Sequence, residues 1–150
     1  MADVMLRDVT EADFEVLYAF QADPEASAMA AFPSRDLPAF LEQRRKIAAT
    51  PSVIDKAIVT EGVVVGSIGS WDEEREREVG YWLGREYWGK GYATAALRAF
   101  LQIDQHRPLH AHVAEHNVAS RRVLEKCGFV LARSELADDG VLEHILVLTA

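Results

Sequence analysis

A chain of 150 residues, 49% apolar and 27% charged, is long enough to bury one core and too well mixed to be a disordered tail. Its net charge of −8 speaks against broad nucleic-acid binding, which needs Lys and Arg clustered on phosphates, and only weakly favours cationic substrates. No apolar run approaches the roughly 20 residues of a membrane span, residues 1–7 carry no secretory pattern, and the lone Cys127 has no Cys or His partner at metal spacing, so the expectation is a cytoplasmic protein with no membrane, nucleic-acid or metal partner.

Residues 4–7 alternate and read as an edge strand. Thr10-Glu11-Ala12-Asp13 resembles a capping box, and Phe14, Leu17, Tyr18 and Ala22 recur behind it at helical spacing until Pro24. Residues 26–32 fit neither period. Ser34 is placed to cap a second helix with Leu37, Phe40, Leu41 and Ile47 as its apolar stripe, ended by Pro51. Residues 53–60 and 63–70 are β-branched runs joined by Glu61-Gly62, a two-residue hairpin signal. Residues 72–75 read as a charged turn, and residues 76–83 as a third strand with Val79, Tyr81 and Leu83 on one face. An amphipathic helix over residues 92–105 buries Ala93, Leu97, Phe100 and Leu101, and Pro108 breaks it. Residues 109–114 form a strand with His110 and His112 on one face. Asn117 caps a helix over residues 119–126 with Val123, Leu124 and Cys127 turned inward, and Gly128 fits its left-handed exit. Residues 129–136 and 141–148 close the chain as a hairpin around Asp138-Asp139-Gly140. The order predicts an α/β (α+β) domain, a mixed sheet with helices on both faces.

The most informative segment is Trp88-Gly89-Lys90-Gly91-Tyr92-Ala93-Thr94, where a strand ends and a helix opens. Such a junction aims several backbone N–H groups and the positive end of a helix dipole at one point, a cup for a diphosphate. Glycine there permits the close approach that a Cβ would block. Two familiar cups are excluded. Gly91 stands where a Walker loop needs Ser or Thr, and Thr94 stands where the dinucleotide fingerprint needs its third glycine.

Two motifs then resemble the GNAT superfamily of acyl-CoA-dependent N-acetyltransferases. Trp88-Gly89-Lys90-Gly91-Tyr92-Ala93 is similar to the family's Q/R-x-x-G-x-G/A loop. Asn117-Val118-Ala119-Ser120-Arg121-Arg122-Val123-Leu124-Glu125-Lys126-Cys127-Gly128-Phe129 resembles the N-x-x-S-x-R-x-L-E-K-x-G-F signature of its RimJ/RimL branch, which acetylates N-terminal α-amines of ribosomal proteins. Glu78-Val79-Gly80-Tyr81-Trp82-Leu83 is also typical of that branch. Two departures stand out: Trp88 replaces the usual Gln or Arg, and Leu124 occupies the position of a Tyr acid used by many relatives.

The resemblance implies that residues 1–150 form a single acyl-CoA-binding N-acetyltransferase domain with a GNAT-like, mostly antiparallel sheet, taking acetyl-CoA as acetyl donor without a metal. It implies that Trp88, Gly89, Lys90, Gly91, Tyr92, Ala93 and Thr94 hold the diphosphate, that the backbone of Tyr81, Trp82 and Leu83 pairs with the pantetheine arm as an added strand, and that Asn117 hydrogen-bonds that arm. Arg122, with Arg121 and Lys126 as alternatives, is the candidate for the 3′-phosphate. Ser120 is the candidate acid for the departing thiolate, and its bland role is a bond to a helix carbonyl. Glu78 is the first candidate for the base, directly or through water, with Glu76, Glu115, Glu143, His110 and His112 as rivals. A free α-amine, with a pKa of roughly 7.7–8.0, needs less help than a lysine near 10.4. The acceptor is therefore read as an amine, first a protein or peptide N-terminus and alternatively a polyamine or aminoglycoside. A homodimer is compatible with the branch. A module that binds acyl-CoA without turnover is the reading from a different class.

Overall fold

The computed structural model describes residues 3–31 and 34–150. Met1 and Ala2, and Phe32 at the end of the segment that fitted neither period, lie outside the described residues. The first strand, β1 (Met5–Asp8), pairs antiparallel with β2 (Ile54–Thr60), which forms a meander with β3 (Val63–Glu73) and β4 (Glu76–Leu83). Glu61 and Gly62 join β2 to β3 at φ 50° and 79°, the left-handed pair that a tight two-residue hairpin demands. Further along come β5 (Leu109–Ala114), β6 (Val130–Leu136) and β7 (Leu142–Leu148). The spatial order is β1-β2-β3-β4-β5-β7-β6, antiparallel throughout except for the β4–β5 pair.

Helices cover both faces. On one lie α4 (Tyr92–Ile103) and α5 (Val118–Lys126), where Leu97, Phe100 and Leu124 pack with Ile58, Val79 and Leu146 in the main core. On the other lie α1 (Phe14–Ala22), α2 (Pro24–Ala30) and α3 (Leu37–Ala49), around a smaller core of Leu17, Phe20 and Phe40. No helix among the described residues is long and apolar enough to cross a membrane.

The start of α1 is set by Asp13, whose carboxylate accepts from the Thr10 backbone N–H at 2.8 Å and from both terminal nitrogens of Arg7. Pro24 ends α1 and opens α2, because a proline in the first turn forfeits no helical hydrogen bond. The cap of α3 is Asp36 rather than Ser34: its carboxylate accepts from Ala39 N at 2.9 Å. A helix capped at Ser34 would put Pro38 at the first position whose N–H must bond backwards, whereas capping at Asp36 places it where that N–H is unused. Strand β3 also runs further than its β-branched stretch, through Trp71 and Asp72 to Glu73, with the turn reduced to Glu74 and Arg75 and Glu74 at φ 53°.

Candidate active site

Strand β4 pairs with β3 along its whole length, but with β5 only at Arg77↔Leu109 and Glu78↔His110. Beyond that point β5 follows β7 and the two parallel strands part. On this side the backbone from Gly80 to Leu83 has no strand neighbour. It is a free edge in mid-sheet, able to accept an extended ligand as an added strand.

The cup lies at the far end of this split. Gly89 and Gly91 sit at φ 74° and 82°, left-handed conformations that fold the loop onto the start of α4. Among the described residues no side chain caps α4, and its backbone bonding begins with Ala95 N to Gly91 O. The N–H groups of Tyr92, Ala93 and Thr94 therefore have no carbonyl partner within the helix. The Trp88 indole N–H donates to the Leu83 carbonyl at 3.2 Å and pins the loop to the end of β4. Lys90 and Arg122 are exposed and make no ion pair among the described residues, whereas Arg121 meets Glu125 at 3.5 Å.

Alternation along β4 sends Arg77, Val79, Tyr81 and Leu83 toward α4 and α5, and Glu78, Gly80 and Trp82 toward α1 to α3. On the first side Tyr81 and Ser120 share a hydroxyl–hydroxyl hydrogen bond of 2.8 Å. Burial pushes the Tyr81 phenol up to about 12, so it stays protonated at neutral pH. Asn117 Oδ1 caps α5 by accepting from Ser120 N at 3.3 Å, which fixes that serine beside Tyr81. Leu124 is buried in the core and offers no acid. Burial raises the Cys127 thiol, which packs half-buried against Thr94, making it a poor nucleophile.

On the second side Glu78 is buried, with Oε1 2.6 Å from His112 Nε2 and Oε2 without a hydrogen-bond partner among the described residues. The His112 Nδ1 lies 3.3 Å from Glu143. Glu76 is engaged by Arg133 at 3.0 Å, and His110 Nε2 stands 3.7 Å from Glu76. Carboxylate oxygens of Glu76 and Glu78 and a ring nitrogen of His112 lie within 4.8 Å of one another, but Arg133 and His112 already supply positive charge there. Glu115 is exposed and its backbone N–H serves the Leu142 carbonyl. His112, not Glu78, forms part of the wall of an open cleft of about 680 Å³, which is also lined by Phe20, Phe40, Trp71, Gly80 and Trp82.

The hydrogen bond from His112 to Glu78, assisted by Glu143, lifts the imidazole to about 9. The folded value lies above the unfolded value of roughly 6.5, so the pair's stabilisation is complete below that pH and fades as pH rises through about 9. Thermal unfolding should therefore fall between pH 6.5 and 9.5 more steeply in the wild type than in His112→Gln, and parallel curves would refute the pairing.

Sequence reasoning named Glu78, His112 and Ser120 but did not join them to their partners. It missed Gly84, whose added Cβ would stand 2.6 Å from the Phe20 ring, so only glycine lets α1 seat against the end of β4. It missed Trp71, which the two-residue period through Ser67 and Gly69 places on the cleft side.

Residues 3–130 match the family described as Acetyltransferase (GNAT) domain. A Bacillus subtilis (strain 168) protein named "Probable N-acetyltransferase YjcK" is 40% identical over 78 residues, 47% of this chain and 42% of that protein. Another from the same organism, "Putative ribosomal N-acetyltransferase YdaF", is 34% identical over 105 residues, 63% of this chain and 56% of that protein. The matched segments thus span about half the length of these relatives. Among solved structures, aminoglycoside acetyltransferase AAC(6')-Ib with coenzyme A and kanamycin superposes with a TM-score of 0.80 at 25% identity, over 98% of this chain and 95% of that one. The Vibrio cholerae spermidine N-acetyltransferase with CoA and spermine gives 0.84 at 16% identity, over 97% and 95%, a likeness of fold.

Proposed function

This chain belongs to the GNAT acetyltransferase family, and from that premise we propose that residues 1–150 act as one acyl-CoA-binding domain that transfers an acetyl group from acetyl-CoA to a primary amine, in the manner of the RimJ/RimL branch. The observation that carries the reading is the β4–β5 split ending in the uncapped N-terminus of α4. The Asn117–Phe129 segment and the ribosomal N-acetyltransferase relative support a protein or peptide α-amine as acceptor.

The residues divide the work as follows. Amides of residues 89–94 hold the diphosphate, with Lys90 beside them, and Arg122 is free to meet the 3′-phosphate. The open edge from Tyr81 to Leu83 aligns the arm, and an N–H of that edge faces the thioester oxygen as it gains charge. The acceptor enters from the cleft on the opposite face. The Glu78 carboxylate, through Oε2 and an intervening water, takes the ammonium proton, while His112 holds Oε1 in place. The neutral amine attacks the thioester carbonyl, the C–S bond breaks as the nitrogen releases its second proton to solvent, and the thiolate leaves. A thiol near 8.5 needs only modest help. Ser120 gives it a proton and regains one from solvent, while the protonated Tyr81 phenol donates to the Ser120 oxygen behind it.

Ser120→Ala should lower kcat roughly 100-fold, the lower end of what a general acid contributes, with CoA affinity little changed. Tyr81→Phe should give a smaller loss of the same kind. Thiol release from acetyl-CoA, paired with calorimetric titration of CoA, measures both, and an unchanged kcat in Ser120→Ala would leave that residue a structural role. The same assay with ribosomal-protein N-terminal peptides, spermidine and kanamycin ranks the acceptors. CoA binding without release from any amine would favour a non-catalytic module.

A further inference from the structure

The acceptor side of the split carries a feature that the transfer chemistry does not require. Trp71 stands opposite Glu78 in the β3–β4 register, and Gly69 opposite Gly80. The paired glycines leave a floor without side chains where β4 parts from β5. A Cβ on Gly80 would stand 3.0 Å from Trp71 Cη2, so the six-membered ring of the indole lies across that glycine. The Trp71 side chain is nonetheless 36% exposed, and it borders the cleft with Phe20, Phe40 and Trp82. A large aromatic surface left in an apolar cleft, one cross-strand pair from the Glu78–His112 centre, is a surface for a ligand to cover.

The charges of the cleft point the same way. Arg44 and Lys46 line it, and among the described residues its carboxylates are Asp55, bound to Arg44 at 2.7 Å, and Glu73 at the end of β3. Although the whole chain has a net charge of −8, these walls do not concentrate anions. A polycation would bring several charges to a cleft with positive groups already on its rim.

We propose that Trp71, laid across Gly80 where β4 and β5 part, is a specificity-determining residue that favours α-amines whose first side chain is aromatic or aliphatic, and that the cleft disfavours acceptors with several positive charges. This rests on the α-amine reading above. The indole gives the first side chain a flat apolar platform while the nitrogen reaches the split.

The test uses the full chain with tripeptides that differ only in their first residue (phenylalanine, leucine, serine or glutamate followed by two glycines), with spermidine as the polycation. Wild type, Trp71→Ala and Trp71→Phe are compared for kcat and KM by thiol release, and for peptide affinity by calorimetry on the CoA-loaded protein. Burial of one large apolar side chain predicts a preference for phenylalanine over serine of roughly 10- to 100-fold, carried by KM rather than kcat. Trp71→Ala should reduce that ratio to within about threefold, and Trp71→Phe should keep most of it. Equal use of all four peptides, spermidine as the best acceptor, no peptide binding, or an unchanged ratio in Trp71→Ala would each overturn the inference. Peptide binding with the predicted ranking but no thiol release would sink the transferase reading and leave the Trp71 assignment standing.

Discussion

Gly91→Glu is expected to abolish coenzyme binding while leaving the protein folded. Gly91 holds φ 82° as the N-cap of α4, a conformation that costs a residue with a Cβ about 1–2 kcal/mol. The added carboxylate would project at the end of a helix whose first N–H groups are otherwise free, and would occupy them as an internal anion. The diphosphate then loses its donors and meets a like charge. Losing two charge-assisted hydrogen bonds at about 1.5–3 kcal/mol each corresponds to roughly a 10²- to 10⁴-fold weaker Kd for CoA. Gly89→Ala is the milder companion. Its Cβ would meet nothing within 4 Å among the described residues, so its cost is the backbone strain of φ 74°, about 1–2 kcal/mol, and the variant should fold with that loss. Titration calorimetry with CoA reads both variants, and a Gly91→Glu protein that binds CoA with wild-type affinity would remove the cup from the account.

Asp104→Ala is expected to be the most destabilising of the substitutions considered. Asp104 is 1% exposed at the C-cap of α4 and gathers the Ser70 hydroxyl at 2.6 Å, Arg77 Nε at 3.1 Å and the His106 backbone N–H at 3.0 Å. Arg77 is itself buried, and its remaining carboxylate, Asp72 at 3.2 Å, is exposed. Removing Asp104 strands a buried guanidinium, at a cost of about 3–5 kcal/mol. For a domain of this size that lowers Tm by roughly 6–20 °C. Replacing both partners, as Arg77→Met with Asp104→Leu, should recover much of the loss, because the cost lies in the unpaired charge. Burial alone would raise the Asp104 carboxyl, but hydrogen bonds from Ser70, His106 and Arg77 outweigh it and hold the group down to about 2. The folded value lies below that of the unfolded chain, so this contribution is present above roughly pH 4 and is lost as pH falls toward 2. Acid unfolding of the wild type should therefore be steeper across that window than that of the double variant. Coenzyme affinity of the folded Asp104→Ala protein at low temperature should stay near wild type, because the cup lies at the opposite end of α4. An unchanged Tm would contradict the network.

What was legible in the sequence was local. The glycine loop beside a helix start, the Thr10–Asp13 capping box and the cap at Asn117 are set by short side chains before apolar periods, and the strand faces of β4 and β5 by spaced apolar residues. The boundary error at α3 was avoidable, since Pro38 alone rejects a helix capped at Ser34. The end of β3 was harder to see: Trp71, Asp72 and Glu73 look like the start of a charged turn, yet Asp72 is held in the strand by Arg77 across the register. The long-range facts left no local trace. Nothing near Tyr81 announces Ser120, 39 positions away, and nothing near Glu78 announces its bond to His112. The parting of β4 from β5 depends on β5 following β7, a pairing decided by the packing of the whole sheet. The main elements of the site were therefore readable as parts, and their connections were not.

The central claim is that the uncapped start of α4 and the open edge of β4 together hold acyl-CoA. The most direct measurement is a crystal structure of the protein grown with CoA. The account predicts the diphosphate within hydrogen-bonding distance of the amides of residues 89–94 and the pantetheine arm alongside Tyr81–Leu83 between β4 and β5. A coenzyme seated elsewhere with that corner empty would contradict it.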